Sequence, residues 1–456
     1  MGKLSIVVSL VLAFSLTSAK KYQPNWDSLD SRPLPDWYDE SKIGIFLHWG
    51  VYSVPAFGSA WFWYYLHQGV PAYVDFMKKN YRPGFTYQDF AAQFHAAFFD
   101  PDEWADIFLA SGARYVVLVT KHHEGFTMWP SKYAFNWNAG DVGPKRDLLG
   151  DLLTAVRRKG MRFGVYHSLF EFFNPLYLKD KANNYTTRSF PTTKTMPELY
   201  ELVNKYQPEL IWSDGPMGAP ESYWGSLDFL AWLYNESPVK DEVVVNDRWG
   251  NDTECRHGGY WDCSDKYNPG KLQPHKWENA MTIDRHSWTH RRNINFADVL
   301  SLNELLTVMA RTISCGGNLL MNVGPSSDGR IIPIFEERLR QFGKWMSVNG
   351  EAIYHSKPWH TQQDNKTKSV WYTSQKLMTS KAIYAIVLEW PQNNTLSLQA
   401  PVPTTSTTVE LLGFPGKFLK YKMGLGTMDI LFPILNPVYL PSTDGWVVKM
   451  KNLKNQ

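Results

Sequence analysis

The sequence predicts an α/β fold, a (β/α)8-type, TIM-like barrel followed by a C-terminal antiparallel β-sandwich. Three observations predict it. Short apolar runs alternate with amphipathic helical patterns over roughly 330 residues, as in a parallel sheet whose strands are covered on both faces. Polar and aromatic side chains gather directly after several of these runs, the end of the strand at which a barrel displays its working groups. After about Tyr354 the texture changes to short β-rich runs separated by Pro, Gly, Asn and Thr, with no long helical pattern, as in a small sandwich.

Residues 1–19 come first. Lys3 precedes a 13-residue apolar run from Leu4 to Leu16, and Thr17-Ser18-Ala19 precedes Lys20-Lys21. This is the layout of a secretory signal peptide, and the run is shorter than the ~20 residues that a membrane span needs. No later stretch is apolar enough to span, so the expected protein has no membrane span. Residues 20–354 form the expected barrel, with strands at 43–49, 115–120, 162–167, 210–213, 243–246 and 319–323. Most are apolar in succession, the mark of strands buried on both faces. A helix starts at Pro101 with Trp104, Ile107 and Phe108 on one face. A second has Thr195 and Glu198 at capping-box spacing, followed by Leu199, Leu202, Val203 and Tyr206. A third carries Phe335, Leu339, Phe342 and Met346 and stops at Asn349-Gly350. Residues 258–279 read as a polar loop. No G-x-G-x-x-G follows the first strand, which disfavours an open dinucleotide-binding sheet. Residues 355–456 form the expected sandwich, with strands at 370–373, 383–390, 396–398, 409–412 and 446–450.

Composition narrows the function. Apolar residues make up 44% and charged residues 20% of the 456, which excludes a disordered chain, a collagen and a coiled coil. The 47 basic against 44 acidic residues leave a net charge of +3, without an electrostatic footprint for nucleic acid. Twenty Trp and 24 Tyr suit a protein that stacks rings against sugars. Sequons at Asn184, Asn235, Asn251, Asn365 and Asn393 become candidate glycan sites behind a signal peptide. Of three cysteines, Cys255 and Cys263 are close enough to close a small loop and Cys315 reads as a buried thiol. The set is too sparse for zinc.

The candidate chemistry lies at strand ends. Asp214 follows Trp212-Ser213 and precedes Gly215, where a sharp turn leaves its carboxylate in the barrel mouth. Glycoside hydrolysis needs a second carboxyl group, and Asp265 and Glu278 are the candidates, with Asp262 weaker. His122-His123 suggests a metal pair, but adjacent strand residues face opposite ways; splayed into a loop, the two imidazoles would instead hydrogen-bond sugar hydroxyls. His48 and Arg248 are further polar candidates. Trp49, Trp61, Trp63 and Trp212 are candidate platforms for sugar C–H faces.

The strings Gly44-Ile45-Phe46-Leu47-His48-Trp49-Gly50, Lys121-His122-His123-Glu124-Gly125-Phe126, Gly143-Pro144-Lys145-Arg146-Asp147 and Trp212-Ser213-Asp214-Gly215 strongly resemble the α-L-fucosidases of glycoside hydrolase family 29. So do Asn246-Asp247-Arg248-Trp249-Gly250, His275-Lys276-Trp277-Glu278-Asn279 and the run from Cys315 through Asn322. The resemblance spans about Trp26 to Tyr354 and is nearest to the animal lysosomal or secreted type. It implies a retaining exo-hydrolase that removes terminal α-L-fucose from fucosylated glycans, without metal or organic cofactor, and often as a homo-oligomer. On the same resemblance Asp214 is the nucleophile, and Asp265 or Glu278 the acid/base, with a lean to Asp265. His48, Trp61, His122, His123, Trp212 and Arg248 form the fucose pocket, with Tyr166-His167 as a further position. Two departures fall near the expected pocket. Ala60 stands where relatives commonly carry Glu, a loss worth roughly 10- to 150-fold if uncompensated, and His167 stands where they tend to carry Tyr. These departures motivate a second reading, a weakened lectin-like paralogue. A barrel hydrolase for a related sugar is a third.

Overall fold

The structure is a computed structural model and describes residues 20–376, 381–414, 416, 418–434, 440 and 442–456. The signal-peptide reading of residues 1–19 lies outside the described residues. Seven parallel strands form one curled sheet: β1 (Ile43–Leu47), β2 (Tyr115–Lys121), β3 (Arg162–Ser168), β4 (Leu210–Asp214), β5 (Val244–Val245), β6 (Trp277–Thr282) and β7 (Gly317–Val323). Their spatial order is β5-β4-β3-β2-β1-β7-β6. The edges β5 and β6 meet through residues 259–261. The Val245 carbonyl accepts from the amides of Gly259 and Tyr260, the Trp261 amide donates to Lys276, and the Glu278 amide donates to Trp261. The ring is thus completed by a one-residue bridge in place of a full eighth strand.

Alternation along the strands sorts the side chains. Phe46, Val117, Val119, Tyr166, Leu210, Trp212, Val244, Ala280 and Leu320 pack together inside the barrel with Tyr38 and Tyr115. Ile45, Leu47, Val116, Leu118, Val165, Ile211, Val245, Leu319 and Met321 pack outward against the helices. Both sets are dry, which is why the strands read as continuous apolar runs. The helix Pro101–Ala110 buries Trp104, Ile107 and Phe108, and the Asp100 side chain accepts from the amides of Asp102 and Glu103 at its start.

Three expectations are corrected. The stretch 258–279, read as loop, contains the start of β6. Glu278, Asn279 and Thr282 hide the strand because they are polar, yet they are 2% exposed or less. The run 243–246 forms a strand only at Val244–Val245. Thr195 and Glu198 make no capping box, because a π-helical turn, Pro191–Thr195, runs straight into the helix Met196–Tyr206. The Thr195 hydroxyl donates to the Leu169 carbonyl instead, and Glu198 takes part in a buried ion-pair network with Lys121 and Lys194.

The remaining strands are β8 (Lys357–Gln363), β9 (Val370–Lys376), β10 (Lys381–Val387), β11 (Thr395–Leu398), β12 (Pro403–Leu411), β13 (Tyr421–Met423), β14 (Met428–Leu431) and β15 (Trp446–Leu453). They form antiparallel sheets in the orders β12-β15-β10-β9-β8 and β11-β14-β13. Val370, Tyr372, Ile383, Leu396, Ile430 and Val448 share a core between the sheets. Trp371, Tyr384, Ile386 and Val447, on the opposite face of the larger sheet, join the apolar core of the barrel part.

Candidate active site

The C-terminal ends of successive strands build the pocket. β1 delivers Phe46 and His48, β2 leads to His122 and His123, β3 delivers Tyr166, and β4 delivers Trp212 and Asp214. Trp61, at the start of the helix Phe62–His67, forms a wall with its ring 5.2 Å from His123 and 4.8 Å from Phe172. Ser59, Ala60, Asp265 and Trp288 complete the lining. The inner space of about 70 Å³ widens into a mouth of about 400 Å³ bordered by Met217, Arg248, Asn251, Glu254 and Asp265. Larger clefts of about 440 and 650 Å³ lie elsewhere and contain neither Asp214 nor Asp265, so size alone does not locate the chemistry.

β2 bends before its histidines. Its register with β3 shifts between Val119 and Lys121, and such a bulge re-aims the residues beyond it. His122 and His123 then turn toward the same pocket with ring centroids 4.0 Å apart, as a splayed terminus allows. Gly215 is required after Asp214. It has φ +70°, and a Cβ there would lie 2.5 Å from the Phe170 ring, a conformation and a contact that only glycine accepts without strain.

The hydrogen bonds assign the imidazole tautomers. The Ser168 hydroxyl donates to the Phe170 carbonyl and so accepts from His123 Nδ1, 2.7 Å away. Asn322 donates through Nδ2 to the Trp288 carbonyl, which turns its Oδ1 to His48 Nδ1 at 2.6 Å. Each ring therefore carries its proton on Nδ1 and keeps Nε2 free as an acceptor. Burial first, and the neighbouring His122 second, push His48 down to about 3; burial likewise holds His123 well below its usual range. Both stay neutral, each with a lone pair available on Nε2.

Asp214 is the electrostatic centre. Burial by itself would raise its carboxyl. The Arg248 charge and hydrogen bonds from Tyr166 and Arg248 outweigh that and hold it well below the usual range. Arg248 Nη1 donates to Oδ1 at 3.0 Å and the Tyr166 hydroxyl to Oδ2 at 2.7 Å. The guanidinium also lies 4.6 Å above the Trp212 ring. Removing its charge makes Asp214 easier to protonate. Arg248→Met should therefore move the acidic limb of kcat/KM upward by roughly 1–3 pH units, read from a pH–rate profile; an unmoved limb would show that Arg248 does not hold this charge.

The other carboxyl candidates separate clearly. Asp265 accepts from Arg248 Nη2 at 3.0 Å, and its side chain is 58% exposed at the mouth. Asp262 is fully buried behind Arg248, and burial pushes its carboxyl well up. Glu278 is fully buried inside the barrel and does not line the pocket. Cys255 and Cys263 form a disulfide in the loop that carries Asp265, and Cys315 is a buried free thiol.

Some expected pocket residues lie elsewhere. Trp49 packs among Phe94, Phe99 and Trp104, and Trp63 stacks on Tyr87. Neither is a platform at Asp214. His167 faces away from the pocket toward Glu198, 3.2 Å distant, because residues 166 and 167 point to opposite faces of β3. Ala60 does line the pocket. Phe46, Ser59 and Trp288 were missed, as was Glu254 at the mouth. Phe46 shares the inward parity of His48, a signal present in the sequence, whereas Trp288 and Glu254 sit on loops without periodicity. Asn184, Asn251, Asn365 and Asn393 are exposed. Asn235 is half-buried and its Nδ2 donates to the Tyr22 and Ala231 carbonyls, and the Nδ2 of the exposed Asn251 donates to the Gly218 carbonyl.

The chain matches the family profile described as Alpha-L-fucosidase over residues 10–351 and the Alpha-L-fucosidase C-terminal domain over residues 362–451. It is 54% identical to the tissue alpha-L-fucosidase of Homo sapiens, over 95% of this chain and 93% of that one. It is 53% identical to the plasma alpha-L-fucosidase of Homo sapiens, over 96% and 94%. The solved alpha-fucosidase of Thermotoga maritima in complex with a mechanism-based inhibitor superposes with a TM-score of 0.81 at 32% identity, covering 94% of this chain and 100% of that one.

Proposed function

The chain belongs to the α-L-fucosidase family, glycoside hydrolase family 29, and on that premise we propose how its pocket residues divide the work. The reaction is hydrolysis of terminal α-L-fucose from fucosylated glycans. Asp214, kept ionised by Arg248 and Tyr166, attacks the anomeric carbon and forms a fucosyl-enzyme. Asp265 donates a proton to the departing oxygen and then takes one from water, the double role of a retaining acid/base. Its exposure at the mouth suits a group that must meet both leaving group and water. His48 and His123 accept from sugar hydroxyls through Nε2, while Trp61 and Trp212 supply apolar walls.

The observation that carries this division is the shared guanidinium: Arg248 holds Asp214 on one terminal nitrogen and Asp265 on the other. Neighbouring carboxylates of this kind suit double displacement better than the wider spacing that leaves room for an inverting water. Proton NMR of an aryl α-L-fucoside during early turnover tests it. α-L-Fucose is expected as the first product; β-L-fucose would overturn the scheme.

The relatives are tissue and plasma enzymes, and no described helix is long and apolar enough to cross a membrane. Together with the leader-like residues 1–19 and four exposed sequons, this supports a lysosomal or secreted glycoprotein. The lectin-like reading loses one of its two grounds, since His167 lies outside the pocket.

A further inference from the structure

Glu278 shares the barrel with the catalytic pocket without opening into it. Its Oε2 accepts from the hydroxyls of Tyr38 and Tyr115, each at 2.8 Å, and its Oε1 accepts from Trp212 Nε1 at 3.1 Å. We propose that Glu278 is a positioning residue, which fixes the indole of Trp212 as the floor of the sugar pocket and takes no part in proton transfer. This rests on the reading of the cavity around Asp214 as the fucose site.

The contacts lead upward from Glu278 to the nucleophile. Trp212 is 3% exposed and is held on its other sides by Tyr166, stacked at 5.4 Å, and by Phe46 at 5.4 Å. The Arg248 guanidinium rests over the same ring. Tyr166 and Arg248 both hydrogen-bond the carboxylate of Asp214. An indole fixed by one buried hydrogen bond thus supports both partners of the nucleophile. A general acid must come within hydrogen-bond reach of the atom it protonates. Glu278 cannot, because its oxygens are taken up by three donors from the barrel interior and Trp212 lies between it and the pocket. Burial also pushes its carboxyl up to about 7, in the range expected of an acid, so a pH profile alone would not separate the two roles.

Glutamine separates them. Its Oε1 still accepts from Trp212, and its NH2 offers one hydrogen to each tyrosine oxygen, while the ionisable proton is gone. The full-length chain is compared as parent, Glu278→Gln, Glu278→Leu, Trp212→Phe and the Leu/Phe double variant. The readouts are kcat/KM on aryl α-L-fucosides with good and poor leaving groups, and Ki for L-fucose. Glu278→Gln is expected within about threefold of the parent on both substrates, and Glu278→Leu to raise Ki roughly tenfold, with equal losses on both substrates. In the Trp212→Phe background the leucine effect should largely vanish, as coupling through one contact requires.

Two results overturn the proposal. One is Glu278→Gln as impaired as Glu278→Leu, with the larger loss on the poor leaving group. The other is Leu and Phe effects on Ki that simply multiply. If the leucine variant fails to fold, the glutamine variant still decides by its leaving-group pattern. Asp265→Ala is measured alongside. A missing leaving-group pattern there refutes the acid assignment and leaves the Glu278 result standing on its own.

Discussion

Asp214→Ala should lose turnover of an aryl α-L-fucoside by about 10⁴-fold or more, the scale seen when a covalent nucleophile is removed. The variant should still fold. Arg248 keeps Asp262 and Asp265 as partners, and Tyr166 keeps its stacking on Trp212, so no buried charge is left unpaired by the truncation. Azide gives the sharper readout. It should enter the vacated space, attack C1 from the nucleophile's side and yield β-L-fucosyl azide. A mechanism-based fluorinated fucoside should label Asp214 in the parent. Full turnover in Asp214→Ala, or a label on another carboxylate, refutes the nucleophile.

Asp265→Ala should spare substrates that need no proton and slow those that do. With a good leaving group the first step should stay near the parent rate; with a poor one it should fall by roughly 10²–10⁴-fold. Here azide acts after the fucosyl-enzyme has formed. It replaces water without needing a base and should yield α-L-fucosyl azide, the opposite anomer from that expected of Asp214→Ala. Equal losses on both substrates would show that Asp265 does not serve as the acid. Because Asp265 and Asp214 share Arg248, product stereochemistry is what tells the two variants apart.

Much of this pocket was legible in the chain. Continuous apolar runs marked β1, β2, β3, β4 and β7, and residues at the end of one predicted strand, His48, and just beyond three others, His122-His123, Asp214 and Arg248, line the pocket or its mouth. Parity would have gone further. Tyr166 and Ser168 point inward, so His167 must point outward, where it packs against Glu198. β6 stayed hidden because its inward residues include Glu278 and Thr282, polar groups satisfied within the buried interior, Glu278 by partners as far away in sequence as Tyr38. Trp49 and Trp63 looked like Trp61 and Trp212, because nothing local distinguishes an indole packed on Phe94 from one facing a cavity.

Strand periodicity, a carboxylate before a turning glycine and the order of the motifs were determined by the sequence alone, since each depends on neighbours a few residues apart. Which carboxyl group borders the pocket was decided only by the tertiary structure. Asp265 and Glu278 lie 13 residues apart, yet one ends at a wet mouth beside Arg248 and the other in a dry barrel beneath Trp212. That difference comes from the closure of the sheet, which carries the start of β6 into the interior, and burial together with long-range hydrogen bonds sets what a carboxyl group can do.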